Sequence, residues 1–158
     1  MKPLPFPYPL NIGTDIVHLP RILRLITRPA KTTSSTSSSA QQQNLHRFVR
    51  RILCEQEQED FRRRFGLQKH GEQSPIAVTT DMARWLAGRF AAKEAARKAA
   101  PGGAASIGWK DVCVRTDGEE GRVSSRPEVV YRGLDNRIGK LSISHDGEYV
   151  VATVLAAG

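Results

Sequence analysis

Asp15 sits where an acid is least expected, inside the run Asn11-Ile12-Gly13-Thr14-Asp15-Ile16-Val17. Branched residues at this density form a strand with one buried face. A carboxylate on that face must be neutralised, paired or bound to a cation. Gly13 is the second anomaly, because a glycine inside a strand marks the close approach of a ligand or another backbone. A second carboxylate comes from Glu94, on a segment that reads as one long helix. Residues four apart on a helix are neighbours, so Met82, Leu86, Phe90, Glu94 and Lys98 form one stripe. Its three large apolar residues face the core, which puts Glu94 at the core's edge. Asp15 and Glu94 together would make a hard oxygen site. Magnesium suits it, since that ion takes few protein carboxylates and completes its shell with waters and phosphate oxygens. Arg89, Lys93, Arg97 and Lys98 would then meet the remaining phosphate charge. The bland alternatives are that Asp15 caps the helix starting near Leu19 or faces solvent. Glu94 would then pair with Lys98 one turn on, worth a few tenths of a kcal/mol.

A third candidate is Leu141-Ser142-Ile143-Ser144-His145-Asp146. The residues alternate, so Leu141, Ile143 and His145 share one face and Ser142, Ser144 and Asp146 the other. Serine, histidine and aspartate side by side do not make a hydrolase triad, which is a constellation in space and not a run along one strand. A strand ending in serine and histidine beside a turn can bind a phosphate or a nucleotide edge.

Other elements must position these residues. Leu10 to Val17 is the first strand, and Leu19 to Thr27 a short helix with Pro20 in its first turn. Thr32 to Asn44 is a Ser/Thr/Gln tract without a branched aliphatic residue, and is expected to be a disordered insertion at about 30–44. Leu45 to Leu53 gives a helical turn or two, and Glu55 to about Phe65 a helix. Gly66 to Pro75 is a polar loop. Thr79, Thr80 or Asp81 caps the long helix, which Pro101-Gly102-Gly103 ends near Ala100. That helix also carries a small-residue side: Ala83, Ala87, Ala91, Ala95 and Ala99, flanked by Gly88, Ala92, Ala96 and Ala100. Strands follow at Val112 to Arg115 and Glu128 to Tyr131. Leu141 to His145 and Tyr149 to Leu155 form a hairpin across Asp146-Gly147, a favoured tight-turn pair.

The 158 residues suit one domain, and 39% hydrophobic residues can fill one core. With 24 basic and 16 acidic residues the formal charge is +8, which favours an anionic partner. Cys54 and Cys113 are neither a disulfide framework nor a zinc pattern, which fits a reducing compartment. No apolar run reaches the roughly 20 residues of a membrane span. The proline-rich start lacks the apolar block of a secretory signal and is a poor transit peptide.

Three segments resemble the signatures of holo-acyl-carrier-protein synthases, in order and in spacing. They are Ile12-Gly13-Thr14-Asp15-Ile16-Val17, Trp85-Leu86-Ala87-Gly88-Arg89-Phe90-Ala91-Ala92-Lys93-Glu94-Ala95, and Leu141-Ser142-Ile143-Ser144-His145-Asp146. Arg51-Ile52-Leu53 with Glu55 and Glu57 is similar to the family's intermediate helix start. The likeness covers most of the chain outside the proline-rich start and residues 32–44. It implies an α+β fold, the phosphopantetheinyl transferase fold: a small antiparallel sheet packed on one long helix and shorter helices, as a single domain over residues 1–158. It implies a homotrimer with active sites between subunits. The implied reaction is magnesium-dependent transfer of phosphopantetheine from coenzyme A to a serine of an acidic apo acyl carrier protein. Asp15 and Glu94 are the implied magnesium ligands. Lys98 resembles the lysine at the coenzyme A phosphates. Arg89, with Lys93 beside it, stands on the nucleotide phosphate side. Ser144 and His145 match the strand at the adenosine 3′-phosphate. Arg21 resembles the arginine that engages the carrier's acidic helix. The serine proton would go to a metal-held water, His145 or Asp146.

The chain departs from the family at His18, where a glutamate is usual, and at the low-complexity tract, which suggests a eukaryotic, fungal member. Such a member would serve a mitochondrial carrier protein, so the resemblance favours a mitochondrial over a cytoplasmic location. Two rival readings are a basic nucleic-acid-binding module, supported by Arg89, Lys93 and Arg97, and a non-catalytic subunit of a larger synthase. Aromatics are only 6% and do not interleave with the basic residues as a stacking platform, which argues against the first. Retention of Asp15 and Glu94 argues against the second. Neither nucleic acid nor membrane is expected as a partner.

Overall fold

In a computed structural model, residues 3–4, 6–28, 37–67, 77–115 and 126–158 are described. The elements in chain order are β1 (Leu10–His18), α1 (Leu19–Thr27), α2 (Ser37–Ile52), α3 (Glu55–Arg64) and α4 (Thr80–Ala99), then a 3₁₀ turn at Trp109–Asp111. The remaining strands are β2 (Val112–Arg115), β3 (Glu128–Tyr131), β4 (Arg137–Asp146) and β5 (Tyr149–Ala157). The five strands form one antiparallel sheet in the order β1-β5-β4-β3-β2. This is an α+β architecture, with the sheet wrapped on α4 as expected.

Alanine and glycine explain how closely they wrap. Ala83, Ala87, Ala91, Ala95 and Ala99 are all fully buried. Strand β1 crosses that stripe at Gly13, where a Cβ would lie 2.0 Å from the Ala95 carbonyl oxygen and 2.8 Å from the Ala99 nitrogen. Only glycine allows such an approach. Because side chains alternate along a strand, Asp15 and Val17 share the α4-facing side with Gly13. The same alternation buries Val150, Ala152, Val154 and Ala156 of β5 against α4.

The other side of β1 and β5 is open. Leu10, Ile12 and Ile16 of β1 and Tyr149 and Leu155 of β5 are exposed, Ile12 by 69% and Ile16 by 61%. Across the ladder Ile12 faces Leu155, Ile16 faces Val151, and Thr14 meets Thr153 with hydroxyls 3.2 Å apart.

Helix α2 corrects the expectation of disorder through Asn44, since the chain is helical from Ser37. Residues 30–36 lie outside the described residues, as does the expected polar loop from residue 68 on. A tract without branched aliphatics lacks core residues. It does not lack helix formers: Ala40 and Gln41 to Gln43 propagate a helix readily once it is nucleated. Leu45, Val49 and Ile52 are buried and supply that anchor. Helix α4 begins at Thr79, whose hydroxyl accepts from the Met82 N–H at 3.2 Å.

At the far end of α4 the Tyr131 hydroxyl donates to the Ala96 carbonyl at 2.8 Å, one of the last four carbonyls left without a helical partner. Burial pushes the phenol up to about 12. The unfolded value is about 10, so the folded state holds this proton more tightly. The stabilisation is complete below about pH 10 and is lost as pH rises through 12. Tyr131→Phe should therefore flatten the fall in urea-unfolding stability over that alkaline range. An unchanged alkaline slope would place its origin elsewhere.

Candidate active site

The carboxylates predicted from the sequence converge on the C-terminal half of α4. Gly13 seats β1 on Ala95 and Ala99, which brings Asp15 to Lys98. Lys98 Nζ donates to Asp15 Oδ1 at 2.8 Å and to the Thr14 carbonyl at 2.9 Å. Asp15 thus caps no helix: His18 precedes α1, without a side-chain cap. Glu94 lies one turn before Lys98, so the two carboxylates flank that lysine. Glu94 pairs with Arg97 at 2.7 Å and not with Lys98. Arg97 also donates to the Ile107 carbonyl at 2.8 Å and the Ala104 carbonyl at 2.7 Å, and lies 5.0 Å over the Trp109 ring. It clamps the loop after α4 and orients Glu94 with the same guanidinium. The side chains of Asp15 and Glu94 are 17% and 20% exposed, so both reach solvent from the edge of the core.

Lys93 is a correction. The resemblance places it at the phosphates, yet it is fully buried and its ammonium is taken up inside the fold. Its ammonium pairs with Glu57 at 2.6 Å and donates to the Trp109 and Val112 carbonyls, which uses all three protons. Glu57 is equally buried and accepts from the backbone N–H of Cys54 at 3.0 Å and of Val114 at 3.1 Å. This hub ties α3, α4 and β2 together. The sequence carried one cue to it: Glu57 lies one turn before Phe61, a buried aromatic of an otherwise very polar helix.

Arg89 is the second cation facing Glu57, with Nε 4.0 Å from a carboxylate oxygen. That Nε is buried without a hydrogen-bond partner, and the guanidinium lies 4.5 Å over the Trp85 ring. Burial pulls its pKa down. Arg89 lines a cleft of about 720 Å³ together with Arg64, Arg84, Gly88 and His145. Asp81 lines it too and pairs with Arg84 at 3.7 Å, which leaves Arg64 and the half-satisfied Arg89 as the charge an anion can meet. Arg64 and Arg84 were not anticipated, because no periodicity in one element reports a cleft made by three. Of the strand pair, His145 faces α4 and lines the cleft, while Ser144 and Asp146 fall on the open face of the sheet. Arg21 is exposed on α1, 5.8 Å over the Phe90 ring. His18 pairs with Glu148 at 3.3 Å and packs on Tyr149, on the side of β1 opposite Asp15. Of the stripe Arg89, Lys93 and Arg97, the first two are buried and Arg97 is partly exposed.

Asp15 on Lys98 and Glu94 on Arg97, with a cleft lined by arginines on the same helix, give this α+β fold a charged edge suited to anionic ligands. The chain belongs to the 4′-phosphopantetheinyl transferase superfamily, whose family model matches residues 11–154. It is 61% identical to a mitochondrial 4′-phosphopantetheinyl transferase B of Aspergillus fumigatus, over all of both chains. It is 34% identical to a holo-[acyl-carrier-protein] synthase of Gloeobacter violaceus, covering 94% of this chain and 92% of that one. Among solved structures it resembles a holo-(acyl-carrier-protein) synthase from Bacillus anthracis in complex with CoA (3′,5′-ADP), with a TM-score of 0.59 and 28% identity over 94% and 96% of the two chains. Among the described residues no helix is long and apolar enough to cross a membrane.

Proposed function

We propose that this chain is a magnesium-dependent holo-acyl-carrier-protein synthase. It moves 4′-phosphopantetheine from coenzyme A to a serine of an apo acyl carrier protein and releases 3′,5′-ADP. The observation that carries this reading is the corner where Lys98 joins Asp15 beside Glu94. Each carboxylate spends one oxygen on a cation and keeps its second for another ligand. Two hard donors at a solvent edge fit magnesium, which asks a protein for one or two carboxylates. Asp15 and Glu94 would hold it, and bound there it supplies charge neutralisation on the pyrophosphate.

The chain's own residues do the rest. The serine Oγ forms its bond to the β-phosphorus as the bond from that phosphorus to the bridging oxygen of 3′,5′-ADP breaks. Lys98 places a fixed positive charge at the pyrophosphate. Arg89 and His145 receive the nucleotide phosphate end in the cleft. The serine proton needs an acceptor, and of the two side chains considered for it His145 lines the cleft while Asp146 turns to the other face. Arg21 meets the carrier.

The same reading includes a homotrimer. Arg89 and Lys98 stand nine positions apart on α4, about 13 Å at 1.5 Å per residue. The uncovered apolar face at Ile12, Ile16 and Leu155 supplies a surface on which copies can meet and bring one protomer's cleft to its neighbour's carboxylates. Kinship with the mitochondrial Aspergillus enzyme supports a mitochondrial carrier as the substrate.

The test is intact-mass spectrometry of an apo acyl carrier protein incubated with this protein, coenzyme A and magnesium. A gain of one phosphopantetheine, abolished by EDTA, is expected, together with a trimer mass by light scattering. A folded protein that modifies no carrier at adequate magnesium would overturn the reading.

A further inference from the structure

Cys54 and Cys113 are the chain's two cysteines, far apart in sequence, and both are free thiols. The fold brings them together. With Val130 they form a small buried cluster of their own, apart from the main core. Cys54 is the N-cap of α3, and Cys113 lies on β2 across from Val130. One carboxylate sets their spacing. Glu57 accepts from the Cys54 N–H through one oxygen and from the N–H of Val114, next to Cys113, through the other. The thiols themselves hydrogen-bond one another.

Packing does not explain the residue type at Cys54. N-caps are usually Ser, Thr, Asp or Asn, and sulfur is a weak acceptor. The two sulfurs are also not equivalent. Cys54 Sγ faces the Glu57 backbone N–H at the head of α3, where a helix favours a thiolate. The bond from Cys113 and then this N–H pull the Cys54 thiol below its ordinary range, against burial and the Glu57 carboxylate. The same contact, with burial, pushes Cys113 up. Cys54 is thus the nucleophile, and Cys113 keeps its proton beside it. The half-buried Gln56 has its Oε1 3.8 Å from Cys113 Sγ. The pair lies one side chain below the surface, within reach of an oxidant little larger than water.

We propose that Cys54 and Cys113 are a peroxide-sensitive modification site, whose disulfide ties α3 to β2 and disturbs the Arg89 cleft through Glu57. The Cys54 thiolate attacks one oxygen of hydrogen peroxide, the O–O bond breaks, and Cys54 becomes a sulfenic acid. The departing hydroxide takes up the proton that Cys54 gave up. Cys113 then attacks the oxidised sulfur. The S–S bond forms, the S–O bond breaks, and the second hydroxide leaves as water with the Cys113 proton. Two thiols have supplied two electrons to the peroxide, and two waters result. Bonded sulfurs stand about 2.05 Å apart, closer than any hydrogen-bonded pair. Closing the bridge draws the first turn of α3 onto β2, and Glu57 is in that turn. Glu57 faces Arg89, which lines the cleft. The pair stands on this geometry, while its effect on coenzyme A rests on the transferase reading.

The test treats the whole chain with hydrogen peroxide, alkylates it under denaturing conditions and maps it by mass spectrometry without reductant. The wild type should yield a Cys54–Cys113 crosslink within one chain, reversed by dithiothreitol. Cys113→Ala should instead accumulate a sulfenic acid at Cys54, trapped by dimedone. Cys54→Ser keeps a cap acceptor, and its Cys113 should oxidise about tenfold more slowly or worse. In calorimetry the oxidised wild type should bind coenzyme A about threefold more weakly than the reduced one, and dithiothreitol should restore it. Cys54→Ser should show no such response to peroxide. Circular dichroism checks the fold of each protein, and if a variant misfolds the wild-type mapping decides alone. A folded wild type whose two thiols stay alkylatable after peroxide overturns the proposal, as do disulfides formed only between chains. A crosslink that leaves coenzyme A affinity unchanged overturns the link to the cleft. A reduced protein that binds no coenzyme A fails the transferase reading instead, and the crosslink still judges the pair.

Discussion

Asp15→Asn should lower transfer roughly 10²-fold or more while the protein stays folded. Asparagine keeps the size of the side chain and an oxygen that can accept from Lys98, and removes only the charge. The ion pair it breaks is partly exposed, with Lys98 45% and Asp15 17% accessible, so it adds at most about 1 kcal/mol to stability. Placing an acid on the helix-facing side of a strand for so small a return makes sense if the carboxylate works on something else. Glu94→Gln should behave alike, since it too removes one hard donor without changing size. Raising magnesium should recover part of the lost rate in either variant, by mass action at a weakened site. Steady-state transfer under a magnesium titration, beside urea melts, decides it. Wild-type turnover by Asp15→Asn at matched magnesium would sink the ligand assignment. A loss of stability in proportion to the loss of activity would turn Asp15 into a structural residue.

What could be read from the sequence was whatever a single element spells out. The strand anomalies at Gly13 and Asp15, the small side of α4 and the line from Phe90 to Glu94 are each written in one period and stand in the fold as expected, while the β4–β5 turn falls on Gly147-Glu148, one residue later than Asp146-Gly147, because Asp146 still pairs with Tyr149. What could not be read depends on how elements face one another. Lys93 and Lys98 bracket Glu94 in sequence, and nothing in their spacing says which turns to Asp15. The rotation of α4 decides, and that rotation is set by the contact of Gly13 with Ala95 and by the pull of Glu57 on Lys93. Glu57 itself looked like one acid among several at the start of a polar helix. The start of α2 is hidden for another reason: composition reports burial, whereas a helix anchored at Leu45 extends backwards by continuity.

Glu57→Ala should destabilise the fold by about 3–5 kcal/mol, a larger change than any at Asp15 or Glu94. The substitution leaves the Lys93 ammonium in a fully buried site with two carbonyls and no counter-charge. It also orphans the N–H groups of Cys54 and Val114, each of which has Glu57 as a buried acceptor. Removing both charges is the instructive control. Glu57→Leu with Lys93→Met fills the space and removes the ammonium, leaving Arg89 as the one buried charge without its acid, so it should recover part of the loss even though the two amides stay unpaired. The same pair separates stability from function. Lys93 precedes Glu94 on α4, and Arg89 leans on Glu57 at 4.0 Å while it lines the cleft. If the hub sets the rotation of α4, the double variant will be folded yet show a raised KM for coenzyme A, because Arg89 has lost the acid that holds it over Trp85. Urea unfolding of the three variants beside coenzyme A kinetics of the double one reads both effects. A single Glu57→Ala within about 1 kcal/mol of wild type would mean that water or a rearranged Lys93 relieves the charge, and that the hub is not what fixes the helix.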